Sequence, residues 1–437
     1  MIRRTIFEWS YLPVEPPAPG AFTRAHADRL LAVAKTSPLG GRDGVRILTD
    51  HHHKLRGQQV VGVIASEGCT LEILPKIESL GTGDQTSGQG RIRRQLVHML
   101  AVALDLDITG GNLTELDWQR EDLLEIIIRL FSRKLADAVR QGMPRHYVEE
   151  EEDLPALRGR LRPLRQFTRL LASPQLLACR FDALSSDTAL NRIMKAAIER
   201  LVRVSRSAEN QRRLRELAFA YADVAQLPVS ALPWSEVVLD RTNARWGQLL
   251  SLAKLLLGAR FQSTSEGQGR GFSLLFEMNT LFEEYIGRML ARSLSGSGFT
   301  VHLQSGRLFC LEDEESGKPR FQTRPDILVK RLDRIAMVID TKWKSLSSNA
   351  EDPKQGISQS DVYQMMAYGR LYACSRLMLL YPHNPRLGAS PAISRHRIVG
   401  SEDRLSVASV EVASHVEAIR CLASLLEPLR NSMALPA

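Results

Sequence analysis

Paired cysteines are missing from this sequence. The five present, Cys69, Cys179, Cys310, Cys374 and Cys421, lie far apart and form no Cys-x-x-Cys. That spacing argues against a zinc ribbon and a disulfide framework, and leaves reduced thiols in a cytoplasmic protein as the expectation. Long hydrophobic runs are missing too: none reaches the ~18 apolar residues of a membrane span. The N-terminal stretch Met1-Ile-Arg-Arg-Thr-Ile-Phe-Glu-Trp9 lacks the apolar segment of a secretory signal. There is no GxxxxGK[ST] phosphate loop and no GxGxxG between a strand and a helix. Any nucleotide hydrolysis in which the protein takes part must therefore come from a second chain.

What is present describes a globular protein with a polyanionic partner in view. The chain has 437 residues, 44% hydrophobic and 24% charged, with a formal net charge of +9. That length exceeds one ordinary core, and the positive balance fits a polyanionic partner or simply a soluble basic protein. Three segments are expected: a β-rich domain over 1–90, a helical region over 91–262 and an α/β domain over 272–437. In the first, Gln59-Val-Val-Gly-Val-Ile64 and Thr70-Leu-Glu-Ile-Leu-Pro75 flank the turn-like Glu67-Gly68 and predict a hairpin. Residues 78–90 and 262–271, rich in Gly and Ser, read as linkers.

In the middle, helical spacing covers 121–141, 187–204, 208–225 and 244–258. The acidic run Glu149 to Asp153 reads as a solvated loop. The arginine-rich stretch 158–169, which opens Arg158-Gly-Arg-Leu-Arg-Pro-Leu-Arg165, is a candidate for phosphate contact or a solvated face, with Arg160 and Arg162 the positions to test. The last segment reads as a helix at 273–294, strands at 300–311, 324–330 and 335–342, a helix at 359–373, strands at 376–381 and 404–413, and a helix at 415–429. That order describes a sandwich around a mixed central sheet.

The chemistry concentrates in Arg324-Pro-Asp-Ile-Leu-Val-Lys330 and Ile335-Ala-Met-Val-Ile-Asp-Thr-Lys342. Asp340 and Lys342 are two apart on a strand and share a face. If Arg331 faces Ile335 across the intervening loop, Asp326 falls opposite Asp340. Two carboxylates and an ammonium then meet at one point. Adjacent carboxylates repel, and a divalent cation with oxygen ligands, magnesium above all, resolves the conflict. Such an ion activates water and stabilises charge on a phosphate. Lys342 positions or deprotonates that water, or neutralises the transition state. On the helix upstream, Glu283 is the candidate third acid, in preference to its neighbour Glu284. Downstream, Ser358-Gln-Ser-Asp361 resembles a helix N-cap with an acid at its third position. Gln364 and Tyr368 follow, four apart on one face. Taken singly, Asp-x-Lys is also the spacing of an exposed ion pair, and Gln364 and Tyr368 are ordinary helix residues. Trp343 reads as packing.

These residues resemble the McrC family, the nuclease subunits of McrBC-type modification-dependent restriction systems. The matching pieces are Phe7-Glu-Trp9, Leu71-Glu-Ile-Leu-Pro-Lys-Ile77, Leu157-Arg-Gly-Arg160, Cys179-Arg-Phe-Asp182 and Asp187-Thr-Ala-Leu-Asn-Arg192. In the last third they are Met278-Asn-Thr-Leu-Phe-Glu283, Arg324-Pro-Asp326, Ile339-Asp-Thr-Lys-Trp343, Asp361-Val-Tyr-Gln-Met365 and Ala367-Tyr368. Gln364 and Tyr368 after Asp-x-Lys are similar to the RecB-like branch of PD-(D/E)xK nucleases.

The resemblance implies a DNA endonuclease that depends on Mg2+, with Mn2+ as a substitute. It implies Asp326, Asp340 and Glu283 as metal ligands, and Lys342, Gln364 and Tyr368 around them. It further implies a McrB-like AAA+ GTPase ring as partner, stimulated by the N-terminal part, and modified double-stranded DNA as substrate. The hairpin region 59–77, or His51-His-His-Lys-Leu-Arg56, is the expected contact with that ring. Two other readings stay open: a non-catalytic DNA-binding adaptor that activates an NTPase, and a stand-alone RecB-like repair nuclease.

Overall fold

The computed structural model describes residues 2–14, 21–41, 43–77, 85–106, 118–119, 121–241, 243–257, 271–332, 334–347, 349, 352, 354–388 and 390–431. The N-terminal elements are β1 (Ile2–Phe7), β2 (Tyr11–Pro13), α1 (Arg24–Thr36), β3 (Leu48–Asp50), β4 (Lys54–Gly57), β5 (Val60–Ser66), β6 (Cys69–Leu74) and α2 (Gln85–Ala103). The middle holds α3 (Leu123–Arg140), β7 (His146–Leu154), β8 (Arg160–Leu161), α4 (Pro163–Thr168), β9 (Leu177–Ser185), α5 (Ala189–Val204), α6 (Ala208–Ala220) and α7 (Gly247–Leu257). The rest is β10 (Gly271–Glu277), α8 (Met278–Ser293), β11 (Phe299–Leu303), β12 (Phe309–Glu312), β13 (Pro319–Gln322), β14 (Ile327–Arg331), β15 (Arg334–Thr341), α9 (Gln359–Leu371), β16 (Arg376–Pro382), β17 (Ile393–Arg397), β18 (Arg404–Val410) and α10 (His415–Asn431).

The chain divides into two compact units, Met1–Leu123 with Gln262–Ala437, and Leu124–Phe261. This differs from the three consecutive segments expected above. The reason is β10. Residues 273–277, expected to begin a helix, form a strand that pairs antiparallel with β5, more than 200 residues upstream, from Gly271↔Ser66 to Glu277↔Val60. The resulting sheet runs β1-β6-β5-β10, with β1 parallel to β6. Gly62 permits this pairing. Its φ is +134°, and a Cβ there would lie 1.9 Å from the Leu274 carbonyl oxygen.

Strands β5 and β6 form the expected hairpin, and every residue in both is buried. Of the region 59–77 offered as a ring contact, the hairpin tip, Glu67 and Gly68, and Lys76 are exposed. Residues 51–54 of the β3–β4 turn are exposed. The expected linker 78–90 is helical from Gln85 onward; residues 78–84 lie outside the described residues. Gly90 suits the helix because it abuts Trp118 and Gln119, where a Cβ would come within 3.3 Å of a neighbour. The linker 262–271 lies outside the described residues except Gly271, which opens β10.

Inside this unit a charged pair is fully buried. Glu72, 0% exposed, receives Arg93 Nε at 2.8 Å and Nη2 at 2.7 Å, the Thr5 hydroxyl at 2.8 Å and the Leu123 N–H at 3.0 Å. The carboxylate is satisfied on both oxygens, which is what makes its burial tolerable.

The second sheet runs β11-β14-β15-β16-β18-β17 and is mixed: β15, β16 and β18 are parallel, the others antiparallel. Its central strands read as nearly continuous apolar runs because both faces are covered. Leu328, Val338, Leu377, Leu379, Leu405 and Val407 pack with Met365, Tyr368 and Tyr372 from α9 and its end. Helix α8 packs with α2, α10 and β15.

The middle unit is not wholly helical. Residues 149–153, expected as a loop, lie on β7, which pairs over nine residues with β9 in a three-stranded sheet β7-β9-β8. The acids are held there by arginines: Glu149 with Arg180, Glu151 with Arg162, and Asp153 with Arg165 at 2.7 Å. Arg162 and Arg165 of the expected phosphate-contact stretch are thus already engaged. Among the described residues, no helix is long and apolar enough to cross a membrane.

Candidate active site

The β14–β15 hairpin is one step tighter at its turn than expected, with Arg331 opposite Arg334 and Lys330 opposite Ile335. A bulge then inserts Ala336, so Val329 meets Met337 and Ile327 meets Ile339. Continuing that register by one residue sets Asp326 opposite Asp340. Asp326 leaves the end of β14 with its carbonyl accepting the Gln304 N–H at 2.8 Å. Its Oδ2 accepts from the Thr341 backbone N–H at 2.8 Å and from the Thr341 hydroxyl at 3.0 Å. Thr341, between Asp340 and Lys342, is therefore the group that aims Asp326.

Asp340 is 0% exposed, and Lys342 Nζ lies 2.6 Å from its Oδ2. Burial first, and then the charge on Asp326, raise the Asp340 carboxyl against the opposing Lys342, to about 6 in all. Asp326 is also pushed up, mainly by burial, against the Thr341 hydrogen bonds. For Lys342, burial pulls the ammonium down, but Asp340, Asp326 and Asp361 outweigh it and hold it above its ordinary value.

Glu283, on α8, is buried at 9% exposure, while Glu284 is half-buried. Burial and the charge on Asp326 bring Glu283 up to about 7, with a Gln304 hydrogen bond opposing. Helix α9 brings Gln364, whose Oε1 accepts from Lys342 Nζ at 3.4 Å and whose amide donates to the Tyr368 hydroxyl at 2.7 Å. All six residues expected at the site lie in one unit, around the end of β15.

Other groups here take parts that the sequence reading did not give them. Ser358 stands at the N-cap of α9 without a side-chain cap bond; its hydroxyl meets Ser360 at 2.6 Å instead. Asp361 is turned inward, 3.4 Å from Lys344 Nζ and 4.0 Å from Lys342 Nζ. Its place in the matched run Asp361-Val-Tyr-Gln-Met365 was the available signal. Asn279 Oδ1 accepts the Trp343 backbone N–H at 3.2 Å, and Glu8 Oε1 accepts the Trp343 indole N–H at 2.8 Å. These two bonds hold the residue after Lys342.

The donor set suits a hard cation. Asp340 Oδ1 and Glu283 Oε1 are buried without a hydrogen-bond partner among the described residues. Such orphaned acceptors are costly unless a cation or water meets them. No three His, Cys, Asp or Glu side chains converge tightly enough to cage an ion among the described residues. An ion held there would therefore need waters to complete its shell, as a hard cation on one or two carboxylates does.

Comparison with known proteins decides the family. The model of the McrBC 5-methylcytosine restriction system component matches residues 55–382. The chain belongs to this McrBC family. It is 21% identical over 252 residues to the type IV methyl-directed restriction enzyme EcoKMcrBC of Escherichia coli K12, covering 56% of this chain and 72% of that protein. Its fold is similar to a chain in the refined half-complex from a tetradecameric assembly of Thermococcus gammatolerans McrB AAA+ hexamers with bound McrC. There the TM-score is 0.73 at 20% identity, covering 98% of this chain and 100% of the other. A chain in the cryo-EM structure of the T. gammatolerans McrBC complex matches at a TM-score of 0.53 and 23% identity, over 67% of this chain and 88% of that one. The McrBC match spans β4 to β16 and so includes Glu283, Asp326, Asp340, Lys342, Gln364 and Tyr368.

Proposed function

We propose that this McrBC-family chain is the magnesium-dependent DNA endonuclease subunit of its restriction system, of PD-(D/E)xK type. The observation that carries the reading is the convergence of Asp326, Asp340 and Lys342 at the end of β15, two carboxylates raised mainly by burial and an ammonium against one of them. A surface ion pair needs none of that burial. Asp326 and Asp340 would hold magnesium, with Glu283 completing the shell directly or through water. Magnesium bound there supplies a Lewis acid for the phosphate and a water of lowered pKa.

The chain's own groups do the rest. Thr341 fixes the orientation of Asp326 through two hydrogen bonds. Lys342, held in its ammonium form by three acids, serves as a positive charge beside the developing phosphate charge rather than as a base. Gln364, fixed in turn by Tyr368, steadies that ammonium. Mn2+ would substitute for Mg2+ on the same oxygens.

The partner in this reading is a McrB-like AAA+ GTPase ring, in keeping with the absence of any phosphate loop here, and the substrate is modified double-stranded DNA. The exposed turn around 51–54 is the better of the two expected ring contacts, since the β5–β6 hairpin is buried. The test is plasmid cleavage with the partner ring, GTP and Mg2+. Asp340→Ala abolishes cutting while stimulation of the partner's GTPase persists. Cutting by Asp340→Ala at the wild-type rate would show that the site is misassigned.

A further inference from the structure

Directly after Lys342 the chain lines a second site. A cavity of about 350 Å³ is bounded by Glu8, Trp9, Lys76, Trp343, Lys344 and Asn384 among others, all in the unit that carries the acids. Trp343 and Lys344 are the two residues that follow Lys342, so the cavity adjoins the proposed point of cleavage. Its volume lies at the small end of the ~300–1,000 Å³ typical of small-ligand sites. One nucleotide fits such a space; a stretch of duplex does not.

The lining combines three kinds of group. Trp9 is 45% exposed and sits at a backbone φ of +64°, its N–H bonded to the Gly57 carbonyl at 3.1 Å. A bulky residue in the left-handed region is strained, and such strain persists where the surroundings hold a side chain in place for a purpose. The Arg56 guanidinium lies 5.5 Å from its ring centroid. Lys76 is exposed at the same cavity, and Lys344, also exposed, lines it with its amine turned to Asp361 at 3.4 Å. The third group is a buried polar lining. Glu8, 3% exposed, accepts at Oε1 from the Trp343 indole N–H and from the Lys76 backbone N–H at 2.9 Å, while its Oε2 has no partner among the described residues. Asn384, 6% exposed, is held by Ser345 at 3.1 Å.

An aromatic face, the Lys76 amine and a carboxyl without a full set of donors together match a base, its phosphate and an exocyclic amine. We propose that this cavity is a nucleotide subsite that takes one unpaired nucleotide of the DNA strand next to the scissile phosphate. The proposal rests on the nuclease reading for its place in the reaction, while its binding chemistry stands on the cavity alone. It means that the strand is opened locally when it is cut.

The test measures binding of the full-length protein without divalent ions, so that cleavage plays no part. The probes are a labelled single-stranded oligonucleotide, a blunt duplex of the same sequence and a deoxynucleoside monophosphate. Base stacking on a tryptophan is worth about tenfold or more in affinity. Trp9→Ala therefore weakens the single strand about tenfold, Trp9→Phe restores most of it, and affinity for the blunt duplex is unchanged. Lys76→Ala weakens the single strand and flattens its salt dependence. Circular dichroism and the melting temperature confirm that each variant is folded. Equal loss for duplex and single strand, or no loss in Trp9→Ala, overturns the proposal. Binding of the monophosphate as tight as the oligonucleotide assigns the cavity to a free nucleotide and overturns it too. Failure of wild-type protein to cut with its partner and Mg2+ would sink the nuclease reading and leave these binding results standing.

Discussion

Asp340→Asn should make the protein more stable and inactive at once. The carboxyl moves from its ordinary 3.8 to about 6 in the folded chain. At ~1.4 kcal/mol per pKa unit, the charged form costs roughly 3 kcal/mol, and this figure already includes the attraction of Lys342. Between pH 3.8 and about 6 the folded chain binds more protons at Asp340 than the unfolded chain does. Stability from this group therefore falls as pH rises through that window, and the whole cost is present above about 6. Asparagine keeps the shape and removes the charge. Its removal should therefore stabilise the folded chain by about 1–3 kcal/mol, or on the order of 5 °C in melting temperature.

The assay is calorimetry at pH 8 in a chelating buffer, then with added Mg2+. Wild type should gain about 2.7 kcal/mol when Mg2+ is at a hundredfold its dissociation constant, and the variant should gain far less. A variant less stable than wild type in chelator would refute the reasoning. Asp340 would then be the structural partner of Lys342 and nothing more.

Other outcomes follow from the same geometry. Cleavage at limiting Mg2+ should rise with pH as Asp340, at about 6, and Glu283, at about 7, lose their protons. Glu283→Gln should remove the upper part of that rise in a pH–rate profile. Glu72→Ala should cost about 3–5 kcal/mol in urea unfolding, because Arg93 would be left buried and unpaired. Gly62→Ala should shift or break the β5–β10 pairing, read as loss of amide-exchange protection at Leu274 and Leu275, since the new Cβ has no room beside the Leu274 carbonyl.

The parts of the fold legible in the sequence were those set by local periodicity. The β5–β6 hairpin, α3, α5 and the succession from β14 to α9 all show in the spacing of apolar residues. The opposition of Asp326 and Asp340 was legible for a subtler reason. The turn is tighter than the assumed one, and the bulge at Ala336 compensates by one residue, so the assumed register is recovered at the end that matters. The pairing of β10 with β5 was not legible, because a short apolar run fits strand or helix equally and its partner lies far upstream. The acidic run 149–153 was read as solvated, and it is exposed, but cross-strand arginines make it a strand. Asp361 was hidden because a helix-capping pattern offered a local explanation, whereas its carboxylate meets Lys344 from another element. Glu8 gave no local signal at all; its role depends on Trp343, 335 residues later.

The most direct test is diffraction from crystals soaked in Mn2+, read by the anomalous signal of the ion. The account predicts one peak at the end of β15, about 2.1 Å from a carboxylate oxygen of both Asp326 and Asp340, with Glu283 in its shell or one water away. A peak bound to only one of the two aspartates, or none there while cleavage persists, would contradict it.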